Sequence, residues 1–283
     1  MDSYNITKDQ RALLLCDLER GGVKHDIRRL ETVFKKCRFH VTRVNVSTKT
    51  NVMTDLKTFQ NKLSSGVSGL AVVIVAHGRL GHITVSDGEL KLEEIFQLFS
   101  NRACPALQQK PKLFVVQSCR GVFEHAQHPS IDGGGQGQPG RTTLLPTESD
   151  VMVVYAVHPG MLAVRHADSG CPLFEEMEKV FEDLGTSHHM YELFTEVNER
   201  LMLNVRRESY GISFDKKATH EETRKIMECD IGRSLHIESS LTKKWYLTEK
   251  ESFFKIIYEY IIEWLIKSLK CMVHELLRFF FCC

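Results

Sequence analysis

The chain has no C-x-x-C pair, no run of five basic residues and no membrane-length apolar stretch free of charge. Each absence removes a class of protein. Without closely spaced cysteines, a structural zinc site or a thioredoxin-type redox motif has no ligands to start from. With 37 Lys and Arg against 36 Asp and Glu, the net charge of +1 leaves no electrostatic footprint for phosphates, so no nucleic-acid partner is expected. The first ten residues, MDSYNITKDQ, are polar and lack the apolar centre of a secretory signal. The cysteines at 16, 37, 104, 119, 171, 229, 271, 282 and 283 are odd in number. They suit the reduced thiols of a cytoplasmic protein, or one also found in the nucleus, better than a disulfide framework.

What is present is an alternation. Apolar runs at 12–16, 39–46, 70–76, 112–117 and 151–157 read as strands of a mainly parallel sheet covered on both faces. Between them, apolar residues recur at helical spacing, as in Ile27, Leu30, Val33 and Phe34, or Met53, Leu56, Phe59 and Leu63. Leu92, Ile95, Phe96 and Phe99 repeat the pattern, and two further helices follow the fifth strand over Phe174 to Leu184 and Met190 to Leu201. This predicts an α/β fold, a three-layer sandwich of a mostly parallel sheet with helices on both faces. A late segment, 243–247, is expected to add an edge strand. Residues 124–149 contain IDGGGQGQPG and have the composition of a flexible linker. Residues 248–283 carry Glu259, Glu263 and Lys267 at i,i+4 spacing and predict an amphipathic C-terminal helical extension, suited to weak contact with a membrane surface or a partner.

Two strings stand at the ends of neighbouring candidate strands. VVIVAHG places His77 and Gly78 where the run 70–76 gives out, and LFVVQSCRG places Cys119 directly after 112–117. Catalytic groups of open α/β sheets gather at the carboxyl ends of strands. A thiolate is the nucleophile of cysteine chemistry, and a nearby imidazole raises its population or protonates the leaving amine. The backbone N–H groups of Gly78 and Cys119 are candidates to receive a developing oxyanion. Taken singly, a cysteine after a buried strand is most often core packing, and a histidine is most often a satisfied hydrogen bonder. Other conspicuous features carry less. Residues 133–140 have no Lys-Ser/Thr ending and are no phosphate loop, and His188-His189 lacks a third metal ligand at useful spacing. No metal and no cofactor are expected.

The pentapeptide Gln117-Ser118-Cys119-Arg120-Gly121 differs at one place from the signature Q-A-C-[RQG]-G that follows an upstream histidine in one protease family. On that pentapeptide, on AHGRLG, SDGELKLEEIF and SSLTKKWYLT, and on the order of elements from about 11 to 247, the chain resembles the caspases. The resemblance implies a short N-terminal segment (1–10), a large-subunit region (11–123), the linker, and a small-subunit region (150–247). It implies a six-stranded sheet, a homodimer paired through the last strand, and a cysteine endopeptidase that cleaves protein substrates after aspartate, in apoptosis or epithelial differentiation. The pocket for that aspartate falls to Arg20 (in CDLERGGVKHD), Gln117 and Arg165 (in MLAVRHADSG). Such a buried carboxylate needs charge-assisted, forked donors. Asp132 is the expected processing site for an upstream activating protease, and Asp150 is a poorer one because it opens a strand. The chain departs from the family where Leu162 and Val164 replace the usual aromatic lining and Cys171-Pro172 replaces a Ser-Trp pair. Lost ring area weakens binding by about 1–3 kcal/mol. A second reading, from a different class, is therefore a catalytically weak homologue that acts as a regulatory or interaction module.

Overall fold

The computed structural model describes residues 2–7, 9–121, 149–205, 231–232 and 234–247. Asp132, all of the expected linker but Ser149, and the extension at 248–283 lie outside the described residues. Met1–Thr248 make one compact unit.

The elements follow the apolar periods. In chain order they are β1 (Gln10–Cys16), α1 (Val23–Lys36), β2 (Phe39–Asn45), α2 (Lys49–Asn61), β3 (Gly69–Val75), β4 (Gly78–Arg79), β5 (His82–Val85), β6 (Gly88–Lys91), α3 (Leu92–Leu98), β7 (Lys112–Gln117), β8 (Val151–Tyr155), β9 (Leu162–Ala163), α4 (Pro172–Leu184), α5 (Met190–Val205), β10 (Ile231–Gly232) and β11 (His236–Ser239). Six strands form the main sheet in the order β11-β8-β7-β3-β1-β2, all parallel except β11, which runs antiparallel to β8. Successive residues of a strand point to opposite faces, and the core divides accordingly. Ala12, Leu14, Val73 and Val115 pack with α1, α4 and α5, whereas Leu13, Leu15, Val72 and Phe114 pack with α2 and α3. The expected three-layer sandwich is the fold observed.

One expected element takes a different form. Residues 243–247 add no edge strand: Lys244 makes an isolated bridge to Ser3, and Tyr246 one to His189. Trp245 and Leu247 are buried with the spacing of two that suggested a strand, but Trp245 O accepts from Met190 N (2.7 Å) at the start of α5 and Leu247 O from the Gln10 side chain (2.9 Å). The sheet edge is β11 instead, whose single aliphatic residue, Ile237, gave no periodic signal.

Two charges are buried where the sheet begins. Lys112 opens β7 with no exposed surface, and its ammonium donates to Asn101 Oδ1 (2.7 Å), Lys110 O (3.0 Å) and Leu107 O (3.2 Å). Asp150 turns the chain into β8 with φ at 69° and accepts from Thr242 Oγ1 (2.6 Å), Tyr4 OH (2.7 Å) and Ser149 Oγ (2.7 Å). Burial pushes its carboxyl pKa up, but the hydrogen bonds from Thr242, Tyr4 and Ser149 outweigh burial and hold it below the ordinary range. A side chain so enclosed cannot enter another protease's cleft without local unfolding.

Candidate active site

Four parallel strands, β1, β3, β7 and β8, deliver their carboxyl ends to one edge of the sheet, with the strand order reversing between β1 and β3. That is the position at which open α/β sheets bind ligands. The register fixes which residues emerge together. Val75 of β3 is paired with Gln117 of β7, and Ala76 N donates to Gln117 O (3.2 Å). Two residues further along each strand stand His77 and Cys119. The backbone therefore carries the imidazole and the thiol out of adjacent strands at the same level.

Local structure holds both. His77 O accepts from Thr84 N (2.8 Å), which ties the residue to β5 of the small antiparallel sheet β4-β5-β6. Gly78 permits that return: a Cβ there would lie 2.3 Å from His82 O. On the other strand, Arg120 N donates to Met161 O and Gly160 N to Arg120 O, both at 2.9 Å, so the segment after Cys119 is stitched to the loop that follows β8. Arg120 is buried with its guanidinium 3.8 Å from the centre of the Tyr155 ring.

Cys119 differs from its fellow cysteines. Of the five among the described residues, Cys16, Cys37, Cys104 and Cys171 are buried and Cys119 is only half-buried. Burial pushes the Cys16 and Cys37 thiols up to about 12 and Cys171 to about 11, which keeps them protonated and inert. His77 is exposed. Accessibility and placement thus select one thiol.

The residues expected to receive an acidic side chain lie beside it. Arg20, in the loop after β1, donates from Nη1 to Ala76 O (2.6 Å), the residue before His77. Burial, and then the positive charge of Arg165, push the Arg20 pKa down, with a partial offset from Cys119. The charge of Arg165 is thus felt at Arg20. Arg165 donates from Nε to Gly21 O (2.7 Å) and from Nη2 to Asp26 Oδ2, while its Nη1 is buried with no partner among the described residues. Gln117 is fully buried, and Nε2 donates to Val164 O (3.2 Å). Leu162 and Val164 are half-buried, and Leu162 Cδ2 would lie 3.5 Å from a Cβ on Gly121, two residues past Cys119. All of the expected site residues but Asp132 converge on this edge. His189 stands just before α5, half-buried; its backbone N–H donates to Glu192 Oε2 (3.1 Å), and its ring lies edge-on to Tyr246.

Sequence reasoning missed Asp26. It lies on α1 within the apolar stripe of Val23, Ile27, Leu30 and Phe34, and it is fully buried. An acid at a core position of an amphipathic helix is itself a signal, since a buried carboxylate must have partners.

Residues 10–229 match the family model of the caspase domain, most of the described chain. Human caspase-14 is 32% identical over 212 residues, which cover 71% of this chain and 84% of that protein. Chicken caspase-2 is 31% identical over 235 residues, 74% of this chain but 54% of that longer protein. The crystal structure of caspase-1 from Spodoptera frugiperda has the same fold, with a TM-score of 0.67 and 22% identity over 89% of this chain and 95% of that one. A sheet that sets a histidine and an accessible cysteine at one level, and a family model spanning both, lead to one statement: this chain belongs to the caspase family of cysteine peptidases.

Proposed function

We propose that the chain is an endopeptidase that hydrolyses protein substrates on the carboxyl side of aspartate. The observation that carries the reading is a buried guanidinium nitrogen, Arg165 Nη1, that has no acceptor of its own among the described residues, on an arginine whose charge is felt by Arg20, the neighbour of the half-buried Cys119 thiol. A buried donor left unpaired costs roughly 1–3 kcal/mol, more when charged. A substrate carboxylate supplies the missing acceptor.

The reaction follows from the atoms present. With its proton passed to His77, the Cys119 thiolate attacks the main-chain carbonyl carbon of the aspartate itself, and the C=O electron pair moves onto oxygen, where the N–H groups of Gly78 and Cys119 receive it. As the tetrahedral species collapses, the C–N bond breaks and the His77 imidazolium gives its proton to the leaving amine. Water, deprotonated by His77, then attacks the thioester, releases the acid and restores the thiol. No cofactor enters any step.

The rest of the reading concerns control. Cleavage after Asp132 by an upstream protease separates the two subunit regions, and the working form is a homodimer paired along β11 in the cytoplasm, serving cell death or epithelial differentiation. The aliphatic Leu162 and Val164 motivate the alternative of a weak homologue that signals by binding. Peptides that differ only in having Asp, Glu or Asn before the scissile bond separate the two. Linker-cleaved protein is expected to cut the Asp peptide at least about a hundredfold better than the Asn peptide, since a site built for a carboxylate leaves charges unpaired without one. Equal background rates for all three, in wild type and Cys119→Ala alike, would leave the binding-module reading standing.

A further inference from the structure

We propose that Asp26 is the positioning residue of the aspartate pocket, a buried carboxylate that orients Arg165 and commits one edge of its guanidinium to the substrate. The inference rests on reading Arg165 as a ligand of the substrate's acidic side chain.

A guanidinium is a rigid planar fork, so two anchors fix where the rest of it stands. Arg165 has both. Nε is held by Gly21 O (2.7 Å) and Nη2 by Asp26 Oδ2, which leaves Nη1 as the one nitrogen still to be satisfied. Asp26 is anchored in turn: its other oxygen accepts from Cys171 N (2.7 Å). Both partners of the carboxylate are donors, and an ionised carboxylate is the acceptor-only side chain. An asparagine in its place would turn an N–H₂ group toward one of two N–H donors.

The fold reserves space for this group. Gly170 has φ at 89°, and a Cβ there would lie 2.2 Å from Asp26 Oδ1, so the carboxylate fills the room the glycine leaves. The same turn of α1 grips the hairpin that Arg165 opens. Arg29 donates to Ser169 O, and a Cβ on Gly22 would lie 2.4 Å from His166 O. The hairpin itself is closed by His166 N to Gly170 O and Gly170 N to His166 O, both 2.9 Å. Burial pushes the Asp26 carboxyl pKa up, and Arg165, the Cys171 N–H, Arg29 and Arg20 pull it back.

The clamp has a role in specificity: Arg165 gives one edge to Asp26 and keeps Nη1 for an acceptor the substrate must bring. Arg165→Lys exposes the difference between a clamp and a mere filler. A single ammonium cannot serve Asp26 and the substrate together, and the buried carboxylate takes it because leaving that charge unpaired costs more.

The test uses the full chain after linker cleavage, with an aspartyl peptide and, separately, iodoacetamide, which reads the Cys119 thiol without needing the pocket. Asp26→Asn is expected to raise KM by about tenfold or more while kcat changes by less than about threefold. Arg165→Lys is expected to raise KM as much as Arg165→Ala, and adding Asp26→Asn to Arg165→Lys to recover at least about threefold by freeing the ammonium. Unaltered KM in Asp26→Asn, an Arg165→Lys enzyme within about twofold of wild type, or a double variant no better than Arg165→Lys overturns the proposal. So does a fall in iodoacetamide labelling that matches the fall in peptide turnover, since the whole site would then have collapsed. Should Asp26→Asn fail to fold, Arg165→Lys decides alone, because it keeps the buried ion pair. If Arg165→Ala leaves KM unchanged, the reading of Arg165 falls and this inference with it; if only Arg165→Ala raises KM, this inference alone is wrong.

Discussion

Cys119→Ser is expected to lower kcat/KM for an aspartyl peptide by about 10³-fold or more, measured as product release by linker-cleaved protein. The substitution exchanges one atom and leaves the half-buried position filled, so the loss reports chemistry rather than packing. A thiol lies within reach of deprotonation by an imidazole near neutral pH, whereas a serine hydroxyl does not ionise unless a third group drives the histidine. Substrate binding should survive, because Arg20, Gln117 and Arg165 are anchored by groups other than the sulfur: Ala76 O, Val164 O, Gly21 O and Asp26. A serine variant that retains wild-type turnover would remove the nucleophile from the account.

The second large effect belongs to the arginines. Arg20→Ala and Arg165→Ala should each lower kcat/KM for the aspartyl peptide by about a hundredfold, from the loss of a charge-assisted hydrogen bond in a confined site. Together they should lose less than the product of the two. Burial and then the charge of Arg165 push the Arg20 pKa down, so removing Arg165 relieves Arg20 of repulsion. Peptides with asparagine at the same place should barely respond to either change. Equal losses for both peptides would mean that the substitutions damage the fold instead of the pocket.

How much of this was legible depends on how each residue is used. Strands β1, β3, β7 and β8 are buried on both faces, so each appears as a near-continuous apolar run such as LAVVIVA, and the sandwich follows from their alternation with helical periods. The ends of β3 and β7, with His77 and Cys119 just beyond, were legible for the same reason. The sheet β4-β5-β6 was not: its strands are two to four residues long, and GHITVSDGELK offers too few alternations to separate from a loop. The turn at Asp87-Gly88 was the available cue. Edge strand β11 carries a single aliphatic residue and is recognised only by pairing with β8. Asp26 was hidden by the opposite cause. Its stripe on α1 is strongly apolar, and the partners that explain a charge there, Arg165 and Cys171 N, stand far along the chain. The pairing of Arg20 with Arg165 has the same origin: a resemblance can assign both to one pocket, but only three-dimensional structure brings Gly21 O to Arg165 Nε.

The measurement that reaches the centre of the account is covalent capture. Linker-cleaved protein is treated with a peptide halomethyl ketone ending in aspartate, and the modified peptide is located by mass spectrometry in wild type and in His77→Ala. The expected result is one label, on Cys119, formed at least about a hundredfold more slowly without the imidazole and suppressed by excess aspartyl peptide. Labelling spread over other cysteines, or a rate indifferent to His77, would contradict it.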